Sequence, residues 1–87
     1  MSRDDDRVAV AASDAWPEDV EEEEGVVVNW FAREGRRVED GEAICEIQVE
    51  KVSVDVPAPA AGELVAIERD EDDEITSEDV LAYIDPD

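Results

Sequence analysis

One lysine, one cysteine and no histidine make up the reactive inventory of this 87-residue chain. Without histidine the commonest general base is missing, and so is any Ser-His or Cys-His nucleophile pair. A lone Cys45 excludes an intrachain disulfide and, without histidine, leaves no zinc-ligand set. That leaves the amine of Lys51. It lies in the stretch ICEIQVEKVSVDV, where apolar residues alternate up to Val49, pause at Glu50-Lys51 and resume at Val52, Val54 and Val56. This is the pattern of two antiparallel strands joined by a tight turn. Folding about Glu50-Lys51 pairs Val49 with Val52, Ile47 with Val54 and Cys45 with Val56 on one face. Gln48 with Ser53 and Glu46 with Asp55 fall on the other. A one-residue slip would mix the faces, so the register is well specified. Cys45 then reads as a small core residue rather than a reactive thiol. Lys51 stands at the outermost point of the hairpin, as an ordinary surface lysine or as an amine presented for acylation by another enzyme.

The elements that must hold this hairpin are short strands. Residues 7–12 form an apolar strand candidate, and residues 13–24 a loop with a proline and a dense acidic run. Trp16 in that loop packs as a lid on the core or stands as an exposed partner contact. Residues 25–33, β-branched and aromatic, form a strong strand. Glu34-Gly35 and Asp40-Gly41 bracket Val38 with two turns. Prolines make residues 57–62 a crossing, and residues 63–68 are a further strand. A charged turn at 69–74, a single apolar anchor at Ile75 and a closing strand at 80–84 complete the chain. No segment sustains a 3.6-residue period over three turns, so the expected class is all-β. Residues 1–6 are a flexible N-terminus and 7–85 one domain.

The chain also repeats itself. Shifted by 37 positions, Gly25 meets Gly62, Val27 meets Leu64, Val28 meets Val65, Val38 meets Ile75, Ile44 meets Leu81 and Ile47 meets Ile84. Two such halves predict a flattened barrel or sandwich of two small antiparallel sheets with a pseudo-twofold axis, a barrel-sandwich hybrid. The second copy lacks the turn glycines, with Asp72 in place of Gly35 and Glu78 in place of Gly41. It also ends where the first copy runs into its lysine tip, so only one tip exists.

Charge narrows the function classes. The chain carries 28 acidic and 7 basic residues, a net charge of −21. Such a surface argues against nucleic-acid binding and against adhesion to an anionic membrane. Self-repulsion on this scale destabilises a compact domain in dilute buffer, and about 1 M salt, with a Debye length of about 3 Å, screens most of it. A cooperative unfolding transition that shifts upward with salt is therefore expected; one unchanged in millimolar buffer would contradict this. Scarce lysine with abundant acid suggests a salty cytoplasm such as that of a haloarchaeon, which itself explains part of the solitude of Lys51. No apolar run reaches the roughly 18 residues of a membrane span, and MSRDDDR does not open a secretory signal, so a cytoplasmic location is expected.

The stretch EGVVVNWFAREGRRVEDGEAICEIQVEKVSVDVPAPAAGELVAI closely resembles the lipoyl domain of 2-oxoacid dehydrogenase multienzyme complexes. The resemblance is carried by Glu24-Gly25 with Trp30, the Glu34-Gly35 turn, Val38, and Asp40-Gly41-Glu42. It continues through Glu46-Ile47 and Glu50-Lys51 to Ala58, Pro59 and Gly62. It implies that Lys51 is the attachment site of lipoic acid, with Val49, Glu50 and Val52 as the context read by a lipoate-attaching enzyme. It further implies a dithiolane that a thiamin-dependent 2-oxoacid decarboxylase reductively acylates. An acyltransferase then takes the acyl group and a dihydrolipoyl dehydrogenase reoxidises the dithiol. The domain would do no catalysis of its own; it presents the cofactor, as a monomer in isolation.

The chain departs from the family pattern at several points. Glu50 and Val52 stand where the family usually has aspartate and often alanine, and residues 70–74 lack the usual glycine. With no subunit-binding region, acyltransferase domain or Ala/Pro-rich linker, a free-standing carrier or an excised domain is expected. Two alternatives stay open. Biotin carrier domains share the tip-lysine logic but typically flank it with methionines, whereas the one methionine here is Met1. An unmodified barrel-sandwich module serving only as an interaction domain is the other.

Overall fold

The computed structural model describes residues 7–86, so the expected flexible N-terminus at 1–6 lies outside the described residues. Eight strands follow in order: β1 Val8–Ala11, β2 Glu24–Trp30, β3 Arg37–Val38, β4 Ala43–Val49, β5 Val52–Pro57, β6 Gly62–Ile67, β7 Glu74–Thr76 and β8 Val80–Pro86. They build two four-stranded sheets, ordered β1-β8-β6-β3 and β5-β4-β2-β7. Every pairing is antiparallel. The all-β sandwich expected from the pattern is what forms, and the two sheets stay separate instead of closing into one barrel. A 3₁₀ turn, Ala12–Asp14, opens the acidic loop.

The core lies between the sheets. Among the described residues, Val10, Val27, Val38, Ile47, Leu64 and Ile84 are six of sixteen buried apolar side chains, and no polar or charged residue is buried with them. Each such side chain contributes roughly 1.5–3 kcal/mol by leaving water, which is why a period-2 pattern settles the facing of every strand. Ile44 and Cys45 are consecutive yet both buried, because a bulge between Ala43 and Cys45 turns one extra residue inward. Burial pushes the Cys45 thiol up to about 12, so it is a core group and not a nucleophile.

The internal repeat is structural down to its irregularities. The bulge between Val27 and Asn29 in β2 recurs between Leu64 and Ala66 in β6, 37 positions on. The Gly35 amide donates to the Leu64 carbonyl at 2.7 Å, and the Asp72 amide donates to that of Val27 at 2.8 Å. Carboxylates repeat as well: Glu34 accepts from the Ile67 amide at 2.7 Å, and Glu71 from that of Trp30 at 3.2 Å. Asp72 takes φ +73° where its counterpart Gly35 has +92°, so the second half keeps the turn without the glycine. Aspartate is one of the few residues that tolerate this region.

Several strand boundaries differ from expectation by a residue or two, and one by more. The strand predicted over 25–33 stops at Trp30, because residues 31–36 must carry the chain from one sheet to the other, where β3 pairs with β6. At the opposite end, the pair Val8 and Ile84 stands where Val54 and Ile47 stand in the lysine hairpin. The second hairpin is thus made of β1 and β8, the first and last strands, and is open at its tip.

Candidate functional site

The hairpin β4-β5 has the register expected: Val49 pairs with Val52, Gln48 with Ser53, Ile47 with Val54, Glu46 with Asp55 and Cys45 with Val56. Glu50 and Lys51 form the two-residue turn, both exposed. Among the described residues, no side chain pairs with the Lys51 amine. Its stem leaves a backbone fixed by two strands, so the amine is free to be modified and its root is not free to move.

The three flanking residues are not equivalent. Val49 is fully buried, Val52 is 39% exposed and Glu50 is exposed in the turn. Glu50 and Val52 present side chains to solvent at the tip, whereas Val49 anchors the hairpin in the core. Glu50 adopts φ +56°, a left-handed conformation uncommon for a long side chain. The Gln48 side-chain amide donates to the Glu50 carbonyl at 3.2 Å.

Two residues outside the hairpin hold its root. A Cβ at Gly25 would lie 2.8 Å from the Gln48 carbonyl oxygen, 3.1 Å from Val49 Cγ2 and 3.2 Å from Trp16 Cη2. Strand β2, the hairpin and the indole therefore meet where only glycine fits. Trp16 is partly buried against the core, and its Nε1 donates to the Glu22 carbonyl at 3.0 Å, closing the loop on itself. The lid reading of Trp16 holds. The close approach of Gly25 to both Val49 and Trp16 and the contact of Gln48 with Glu50 are the features sequence reasoning missed. The one sequence signal for them was a glycine inside a strong strand, which marks a close approach.

Beside the tip runs a groove lined by Glu22, Glu24, Glu50, Asp72 and Glu74, with Val26 between them and no basic residue. The lone amine thus stands at the edge of a negative field, which steers cationic surfaces toward it. Among the described residues, no group of His, Cys, Asp or Glu is placed to hold a metal ion, and no helix is long and apolar enough to cross a membrane.

The biotin/lipoyl family model, described as biotin-requiring enzyme, matches residues 17–84, and the chain belongs to that family. It is 36% identical over 62 residues to the dihydrolipoyllysine-residue succinyltransferase component of the 2-oxoglutarate dehydrogenase complex of Cupriavidus necator, covering 71% of this chain and 15% of that protein. With the dihydrolipoyllysine-residue acetyltransferase component of the pyruvate dehydrogenase complex of Corynebacterium glutamicum it shares 38% over 61 residues, 70% of this chain and 9% of that one. The chain therefore spans a small part of these relatives. The solution structure of the lipoyl domain of the 2-oxoglutarate dehydrogenase complex from Azotobacter vinelandii superposes with TM-score 0.64 at 30% identity, covering 79% of this chain and 85% of that one. A single-chain, multi-domain long-chain acyl-CoA carboxylase shares the fold, with TM-score 0.74 at 18% identity over 94% of this chain and 7% of that one.

Proposed function

We propose that this domain is a lipoyl carrier, with Lys51 the residue that a lipoate-attaching enzyme acylates. The observation that carries this reading is the exposed amine of the chain's only lysine, unpartnered among the described residues and held at a rigid tip on a fold shared, at 30% identity, with a lipoyl domain. The residues present suit the group. Glu50 and Val52 offer the surface the attaching enzyme reads, and buried Val49 keeps the strands from splaying when it docks. Attached here, lipoic acid would supply a dithiolane that carries acyl groups and electrons between active sites. The protein's own part is presentation. A rigid root and a flexible arm raise the effective concentration at each site in turn.

The partners on this reading are a thiamin-dependent 2-oxoacid decarboxylase, an acyltransferase and a dihydrolipoyl dehydrogenase. The domain itself performs no catalysis and is monomeric in isolation. The test is to offer the purified chain to a lipoate ligase and, separately, to a biotin ligase. The expected product is a lipoyl adduct on Lys51 and no biotinyl adduct. Biotinylation in preference would move the protein to carboxylase chemistry, and neither adduct would leave an unmodified module.

A further inference from the structure

Gln48 supplies a contact that the carrier reading does not use. It lies in β4 on the outer face of its sheet, between Ser53 of β5 and Val26 of β2. Its amide nitrogen donates to the carbonyl of Glu50, 3.2 Å away and two residues on. That carbonyl belongs to the Glu50-Lys51 peptide. A peptide unit is planar from one Cα to the next, so orienting its carbonyl also orients the N–Cα bond of Lys51. The acceptor residue is the one with the unfavourable backbone, Glu50 at φ +56°. Glycine, asparagine and aspartate take that region readily; glutamate does so only where its surroundings hold it there.

We infer that Gln48 is a positioning residue for the modification site: its side-chain amide clamps the Glu50-Lys51 peptide in the left-handed turn and so sets the direction in which Lys51 leaves the hairpin. This rests on the carrier reading for its purpose, though the clamp itself can be measured without any modification. Losing the bond would depopulate the competent turn. The KM of the lipoate-attaching enzyme would then rise by the inverse of the remaining fraction while kcat stays unchanged. One exposed hydrogen bond corresponds to about a fivefold change in such an equilibrium.

The test uses Gln48→Glu, which keeps the shape but loses the donor when ionised, and Gln48→Leu, which removes the polarity altogether. Each is made alone and in a Glu50→Gly background, where glycine takes the positive φ without help. In the Glu50 background, KM for lipoylation should rise, by at most about fivefold, with kcat unchanged, and the Lys51 amide order parameter should fall from about 0.85 toward about 0.6. In the Glu50→Gly background, whose own KM is raised by the loss of a side chain the attaching enzyme reads, the same Gln48 changes should leave KM and order parameter at the values of Glu50→Gly alone. An equal KM effect in both backgrounds, or an unchanged Lys51 order parameter in the first, would overturn the clamp. The NMR arm separates this from the carrier reading: a chain that accepts no lipoate but loosens at Lys51 retains the clamp and loses only its proposed purpose.

Discussion

Lys51→Arg should accept no lipoate at all, in vitro or in the native host, while folding as the parent does. Arginine keeps the positive charge and nearly the length, but its guanidinium stays protonated and does not serve as an acylation nucleophile. Lys51 is exposed, and no described side chain pairs with it, so the substitution should change stability by no more than about 0.5 kcal/mol. The contrast is therefore all-or-none in modification and near zero in the melting curve. Lipoylation persisting in the variant would mean that the acceptor lies elsewhere, which a chain with one lysine could hardly provide. Loss of modification together with loss of folding would instead mean that the tip is structural.

Gly62→Ala should be the most damaging small substitution in the chain. A Cβ there would overlap the Asp85 carbonyl oxygen and stand 2.8 Å from the Cα of Pro86. Both are backbone atoms of β8, the neighbouring strand, and cannot swing aside as a side-chain end can. Overpacking of this kind costs about 3 kcal/mol, which for a domain of this size lowers the melting temperature by about 12–24 °C. At Gly25, its partner under the internal repeat, an added Cβ would stand 2.8 Å from the Gln48 carbonyl oxygen, with side-chain atoms of Val49 and Trp16 next. Gly25→Ala should therefore be milder but should loosen the hairpin root. Melting both variants at high and equal salt checks the order. A Gly62→Ala protein as stable as its parent would show that β6 and β8 are not packed as described.

Much of this fold was legible because the physics behind it is local. Alternation on either side of Glu50-Lys51 admits one register without mixing faces, and the structure adopts it pair for pair from Val49-Val52 to Cys45-Val56. The 37-residue shift was visible because both halves bury the same positions, Val27 with Leu64 and Val38 with Ile75. What escaped depends on geometry that residue type does not encode. Asp72 holds a left-handed turn without glycine because its amide is bonded to Val27 across the sandwich, a partner 45 positions away in sequence. Ile44 breaks the alternation and is buried by a bulge, which no period-2 rule anticipates. The lysine tip itself was legible; its supports were not. Val49, expected as part of the recognition context from its place near Lys51 in sequence, has a fully buried side chain that packs in the core, close to Gly25.

The measurement that tests the central claim most directly is the intact mass of the protein purified from its native host, with peptide mapping across residues 44–56. The account predicts a lipoyl increment confined to the peptide containing Lys51. A biotinyl increment at Lys51, or an unmodified Lys51 in a host that lipoylates its other proteins, would contradict it.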